Sequence, residues 1–452
     1  MTAQEEITGP VPLTPVQRRF FSCRVAGGAG ASHFNLSVLL ETPRLAPAPL
    51  AAALALLCRH HDSLRLRFRR RPEGWDQWSE GPDAAPPGLL ALDLSALPAE
   101  RMSAGVSAVT RQVQASLDLT RGPVQRVVSF DLGARRSGRL LWAVHHLVLD
   151  GISWLVLLAQ LAAAYGQLAS GAPARLPPKA TTSFRRWAEL LREHAGSPTL
   201  AEELRFWRDL PWGAVAPLPR DFPSGETLQS SERSVTRELD REETRALLSE
   251  VPQLYQTKTR EVLLSAVARA FAAWTGAPVL LLHVEGHGRA GIFPGVDVSR
   301  TVGWFTGFTP VLLDLGTAAH PAGTLESVKE HMRRIPASAG AGFDLVADLL
   351  APLPAPEVGF NYIGQLDQAE AGLGGLRLAP EGNGPQRSPH LLRFHLIEVE
   401  CAVKDGRLLL SILYSEDAHR QATAERLLAG MVEALRELIA RAGRRGPPGA
   451  GG

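Results

Sequence analysis

The chain has 452 residues, with 48 Lys+Arg against 46 Asp+Glu and a formal net charge of +2. That balance gives no support to a nucleic-acid or polyanion binder, which carries a basic excess. A hydrophobic share of 45% with 21% charged residues excludes disorder of the whole chain and suits a large-core fold of two or three domains.

Four of the basic residues are lysine (Lys179, Lys258, Lys329, Lys404) and the other 44 are arginine, scattered rather than banded along one face. The opening MTAQEEITGPVPLTP is acidic and polar, without the basic and apolar regions of a secretory signal. Leu50 to His60 is apolar at helical spacing, and Ser63 to Phe68 alternates as a strand does. Val127 to Leu132 and Leu140 to Leu149 are short β-rich runs. No apolar run reaches the roughly 18 residues of a membrane span. The longest candidate, Ser153 to Leu168, is interrupted by Gln160, Tyr165, Gly166 and Gln167 and predicts a buried helix.

Glu261 to Trp274 predicts an amphipathic helix, followed by the strand-like PVLLLHVEG. Leu396 to Val403 and Leu408 to Tyr414 flank Lys404-Asp405-Gly406-Arg407, a hairpin signal because Asp-Gly accepts positive φ. Ala424 to Arg441 predicts a closing helix. Gly and Pro number 42 and 34, and they cluster in three predicted linkers: Ser170 to Thr182, Gly213 to Gly225 and Ala351 to Pro356. The mixture predicts an α+β fold rather than a doubly wound parallel sheet. The expected division is a first lobe over 1–175, a second over 176–442 and a disordered tail over 443–452. Cys23, Cys58 and Cys401 are too far apart for a disulfide framework or a CxxC metal site, which points to a reducing cytoplasm.

The sharpest chemical feature is Trp142 to Trp154, WAVHHLVLDGISW. A strand leads into His145-His146, then Asp150-Gly151, then a helix start. Such a turn projects the second histidine beyond the sheet edge. Histidine is the side chain whose ordinary pKa suits proton transfer near neutrality. Asp150 is expected to order the turn through an arginine, with Arg65, Arg289 and Arg300 as candidates. Ser153 is expected to cap the helix. No metal is expected, since adjacent histidines rarely ligate one ion and no acidic–histidine cluster accompanies them.

HHLVLDG resembles the active-site motif of the condensation-domain superfamily of non-ribosomal peptide synthetases. Leu13 to Gln17, His61 to Arg65 and Leu117 to Pro123 resemble further family segments, in order. The resemblance implies two chloramphenicol-acetyltransferase-like lobes in a V, with a tunnel between them. His33-Phe34-Asn35, Gly151 to Trp154, Val284 to Arg289, Arg300 to Thr306 and Phe360 to Gln365 resemble the epimerization subtype. That subtype implies inversion of the Cα of an aminoacyl or peptidyl thioester on a peptidyl carrier protein.

Two acid/base groups on opposite sides of one carbon suit that reaction, and His146 and Glu285 are the candidates. His145, Asp150, Gly151 and Arg289 would support them. The resemblance also puts Ser153, Trp304, Asn361 and Tyr362 at the substrate or its phosphopantetheine arm. That arm arrives on the carrier, and the domain itself needs no cofactor. Ala290, Thr309, Leu36 and Arg19 depart from the subtype's pattern. The alternative is a free-standing condensation enzyme joining a carrier-bound acyl group to an amine or alcohol. The sequence holds no Ser-bearing carrier motif, so a member standing alone would meet its carrier in trans, and an excised domain would meet it, with neighbouring synthetase domains, in one polypeptide.

Overall fold

The computed structural model describes residues 7–22, 30–83, 87–178, 182–289, 291–316, 320–336, 339–346, 350, 353–367 and 376–445. Cys23, Ala290, residues 179–181 and 351–352 of two predicted linkers, and 446–452 of the tail lie outside them. The chain forms two compact units, and both are interrupted in sequence. The first comprises 1–197, 287–306 and 368–391; the second comprises 198–286, 307–367 and 392–452. Arg289 and Trp304, expected on the second lobe, thus belong to the first unit, because their segment is hydrogen-bonded to the histidine motif.

The first unit is built on a five-stranded sheet whose described order is Arg377–Leu378, Asn35–Thr42, Gly138–His145, Gln125–Asp131, Leu89–Asp93. The Gly138–His145 strand is central, and all eight of its residues are buried. A strand covered on both faces reads as a continuous apolar run, which is what LLWAV is. The helix Ala99–Gln114 packs on one face through Met102, Val106 and Val113, beside Leu141 and Ala143. The helix Gly151–Ala169 buries Trp154, Leu157, Leu158, Leu161 and Ala164 and packs on the helix Pro47–His60. By length and mean hydropathy it would pass for a membrane span, one such helix among the described residues.

The expected strand at Ser63 to Phe68 begins later. Asp62–Arg65 is a 3-10 turn and the strand runs Leu66–Arg71. The cause is Arg65, whose buried guanidinium gathers the carbonyls of Cys58, Glu80 and Ile7 at 2.7, 2.9 and 3.0 Å. Satisfying those acceptors outweighs the alternation of the local sequence.

The second unit carries a six-stranded mixed sheet in the order Gly307–Asp314, Val279–Gly286, Val358–Gln365, Ile397–Lys404, Arg407–Ser415, Glu232–Glu238. Val358–Gln365 runs parallel to both neighbours, and the other pairs are antiparallel. The predicted hairpin is present, with Asp405 and Gly406 at φ 50° and 72°. One sheet face is apolar. Leu280, Leu282, Val284, Phe360, Val399 and Cys401 share a core with the helices Thr259–Thr275 and Gln421–Arg445. That last helix takes in Gly443 to Arg445, which were expected in the tail. The expected α+β character holds in each unit, and Cys58 and Cys401 are free and buried.

Candidate active site

The motif strand ends at His145, and a 3-10 turn, His146–Val148, follows. The turn re-aims the chain in three residues, so the two histidines have different fates. His145 is fully buried. Its Nε2 lies 2.9 Å from the Ala31 carbonyl and its Nδ1 accepts from the Leu147 amide at 3.2 Å. The carbonyl needs a donor, so Nε2 bears the hydrogen. Burial holds the imidazole down at about 3. His145 is a neutral structural group that shapes the turn.

His146 is partly exposed. Its amide donates to the Phe34 carbonyl at 2.8 Å. Its Nδ1 lies 2.9 Å from the Leu149 carbonyl, so Nδ1 carries the hydrogen and the lone pair is on Nε2. No described residue hydrogen-bonds that nitrogen. The Phe34 ring stacks on the imidazole at 5.3 Å and 16°, and Trp304 packs at 4.5 Å and 41°. Burial lowers the pKa to about 4, and the Arg387 charge pushes the same way. Near neutrality the ring is therefore an uncharged base with an available lone pair.

Asp150 holds the turn. As N-cap of the Gly151–Ala169 helix it accepts from the Ser153 amide at 2.8 Å, the interaction expected of a capping carboxylate. Arg289 is its cation among the three candidates: Nη2 donates to Asp150 Oδ1 at 2.8 Å, with both side chains buried. The guanidinium also donates to the carbonyls of Val298 and Thr301 at 2.9 and 2.8 Å and lies 4.0 Å from the Phe305 ring. Asp150 Oδ2 accepts from the Phe305 amide at 3.2 Å. This carboxylate orients the turn and is fully occupied in doing so.

Ser153 is neither the cap nor placed for substrate. Its hydroxyl donates to Asp150 Oδ1 at 2.7 Å and accepts from the Gly303 amide at 3.1 Å and Arg289 at 3.0 Å. With no exposure and its hydrogen-bonding capacity used, it joins the helix start to the 287–306 segment. Gly288 makes the same segment possible. It has φ +65°, and a Cβ there would stand 1.6 Å from the Phe305 carbonyl oxygen. Gly151 opens the helix in free space.

Glu285, Asn361 and Tyr362 lie in the second unit. Strand alternation sorts them. Glu285 is half-buried and lies, with His283, on the face of its strand opposite Val284 and Leu282. Phe360 pairs with Val284 and Asn361 with Glu400, so Asn361 shares the face of Glu285. Tyr362 pairs with Cys401 and packs on the apolar core. Burial raises its pKa. The tyrosine thus belongs to the core side of its strand, whereas the asparagine does not face that core.

The sequence reading missed three features. Phe34 was seen only as part of a motif, and its stacking on His146 is a tertiary contact. Arg387 carries no motif at all. His283 and His395, 112 residues apart, meet at 2.9 Å on the Glu285 face, with His395 3.5 Å from Glu398; alternation of polar residues in LLHVEG is the signal that was available.

Comparison with known proteins gives the family. The condensation domain family model matches residues 7–444. A linear gramicidin synthase of Brevibacillus parabrevis is 40% identical over 96% of this chain, and chondramide synthase cmdD of Chondromyces crocatus is 39% identical over 96%. The chain spans 6% and 11% of those relatives' own lengths. Among solved structures, the epimerization domain from the third module of tyrocidine synthetase B is 30% identical, with a TM-score of 0.86 over 98% of this chain and 99% of that one. The condensation domain of the monacolin K polyketide synthase MokA shares the fold at 17% identity and a TM-score of 0.75 over 97% and 98%. A histidine pair ending a buried strand, an aspartate locked to a distant arginine and a family match over nearly every residue have one reading: the chain belongs to the condensation-domain family of non-ribosomal peptide synthetases.

Proposed function

We propose that the chain inverts the Cα of an aminoacyl or peptidyl group carried as a thioester on the phosphopantetheine arm of a peptidyl carrier protein. The observation that carries this reading is the state of His146: neutral, with Nδ1–H committed to Leu149 and the Nε2 lone pair uncommitted among the described residues. A thioester acidifies the neighbouring C–H, and an imidazole that is neutral at working pH has a lone pair with which to accept that proton. The electron pair passes to the thioester oxygen as an enolate. A proton delivered to the opposite face of Cα then completes the inversion, and we assign that delivery to the Glu285 carboxyl. Asn361 is the proposed hydrogen-bond partner of the enolate oxygen, and Trp304 is a wall for the substrate. Asp150, Gly151 and Arg289 keep the His146 turn in place. The likeness to the tyrocidine synthetase B epimerization domain supports this reaction over acyl transfer.

The test uses a carrier loaded with an L-aminoacyl phosphopantetheine thioester in deuterated water. Deuterium at Cα and the D isomer are expected, with losses of about 10²–10⁴-fold in His146→Ala and severe impairment in Glu285→Gln. No exchange with several loaded carriers, together with amide or ester formation when a nucleophile is added, overturns the reading in favour of condensation.

A further inference from the structure

The Phe34 ring that lies flat on the His146 imidazole has a second neighbour. The Arg387 guanidinium carbon sits 5.4 Å from its centroid, and residues 34 and 387 are joined by an isolated antiparallel bridge. Taken end to end, the two ring spans put the charge within about 11 Å of the imidazole, a range over which a partly buried charge still acts.

Arg387 is held there by its own stretch of chain. The Asn35 amide donates to the Gln386 carbonyl at 2.7 Å and the Ser388 amide to the His33 carbonyl at 2.8 Å. Gln386 Oε1 accepts from the Ser37 amide at 2.7 Å, and Asn383 Oδ1 accepts from the Leu39 amide at 2.9 Å. His33 Nε2 lies 2.9 Å from the Pro385 carbonyl. The segment is thus laced onto the Asn35–Thr42 strand, beside the strand that ends in the histidines.

The charges around His146 are unevenly matched. Asp150 is closed off by Arg289 at 2.8 Å. His145 and His33 are neutral imidazoles, both with lowered pKa through burial. Among the described residues, no carboxylate pairs with Arg387.

We propose that Arg387 is a positioning residue for His146: a cation without a carboxylate partner among the described residues, seated on Phe34, that helps to hold the imidazole in its neutral, proton-accepting form. A nearby positive charge disfavours imidazolium, and it does so more where rings rather than water fill the gap. Burial is the larger influence on this histidine. Arg387 adds to it and Asp150 opposes it. The proposal rests on His146 being the base.

The experiment is an NMR titration of protein carrying 13C-labelled histidine rings, with the His146 signal identified by its disappearance in His146→Gln. Wild type, Arg387→Met and Arg387→Lys are followed over the pH range in which circular dichroism shows each folded. The His146 midpoint is expected to rise by about half a unit in Arg387→Met and to stay in place in Arg387→Lys. The acid limb of Cα exchange should move by the same amount. If Arg387→Met does not fold, Arg387→Gln takes its place under the same criterion. A neutral variant that titrates with wild type overturns the proposal, even where its exchange rate changes. A shifted midpoint in a protein that shows no exchange leaves the proposal standing and removes the epimerase reading instead.

Discussion

Asp150 and Arg289 are 139 residues apart in the chain and 2.8 Å apart in the first unit, with both side chains buried. A buried pair of this kind adds little over a well-packed apolar substitute, yet losing one partner strands the other's charge. Asp150→Asn and Arg289→Met are each expected to cost about 3–5 kcal/mol. The double variant should cost less than the two added, by about 1–3 kcal/mol. A denaturant double-mutant cycle measures this, and strictly additive losses would show that the two groups do not act as a pair.

His145 links stability to pH. Its folded pKa of about 3 lies below the ordinary histidine value, so the unfolded chain binds a proton that the folded one refuses. The stability it contributes is therefore complete above about pH 6.5 and is lost as pH falls from there towards 3, amounting to about 3 kcal/mol or more. His146, lowered to about 4, acts in the same direction over pH 6.5 to 4. His145→Asn should flatten the fall of the urea midpoint with acid, at the cost of a lower midpoint at pH 7.5. Parallel acid profiles for the two proteins would count against this account.

Asn361 and Tyr362 are neighbours with opposite expectations. Tyr362→Phe keeps the ring in the apolar core and should leave exchange within about twofold of wild type. Asn361→Ala removes an amide from the Glu285 face and should lower kcat by about 10²–10³-fold, the scale of one donor to a developing oxyanion. Steady-state exchange with a loaded carrier distinguishes them, and a larger effect at Tyr362 would reverse the assignment.

Gly288→Ala should be badly tolerated. The added carbon would overlap the Phe305 carbonyl and require positive φ of an L side chain. A fall of several degrees or more in Tm is expected, whereas Gly151→Ala, with open space at its Cβ position, should change Tm by far less.

Much of the fold was legible because it was written locally. The Asp405-Gly406 turn, the closing helix and the Val279–Gly286 strand each have a periodic or φ-dependent signal. The histidine motif was legible for the same reason. The Arg65 turn was not, since its alternating residues mimic a strand and three distant carbonyls decide the matter. Ser153 was misread because a serine at a helix start suggests a cap, and only the tertiary partners Arg289 and Gly303 show where its hydroxyl goes. Arg387 was invisible: a lone arginine 241 positions beyond His146 has no local pattern to announce it.

The first unit is closed by chain made late. A ribosome that has released residues 1–197 has produced the motif strand, its helix and Asp150, but not the cation that neutralises that carboxylate, nor the tryptophan that walls the second histidine, nor the strap that brings Arg387. The nascent half must therefore wait with a charge it cannot bury. Expression of residues 1–197 by themselves should yield a loosened species in which the turn bearing His146 is unset, so the histidine turn cannot be isolated by stopping the chain at residue 197.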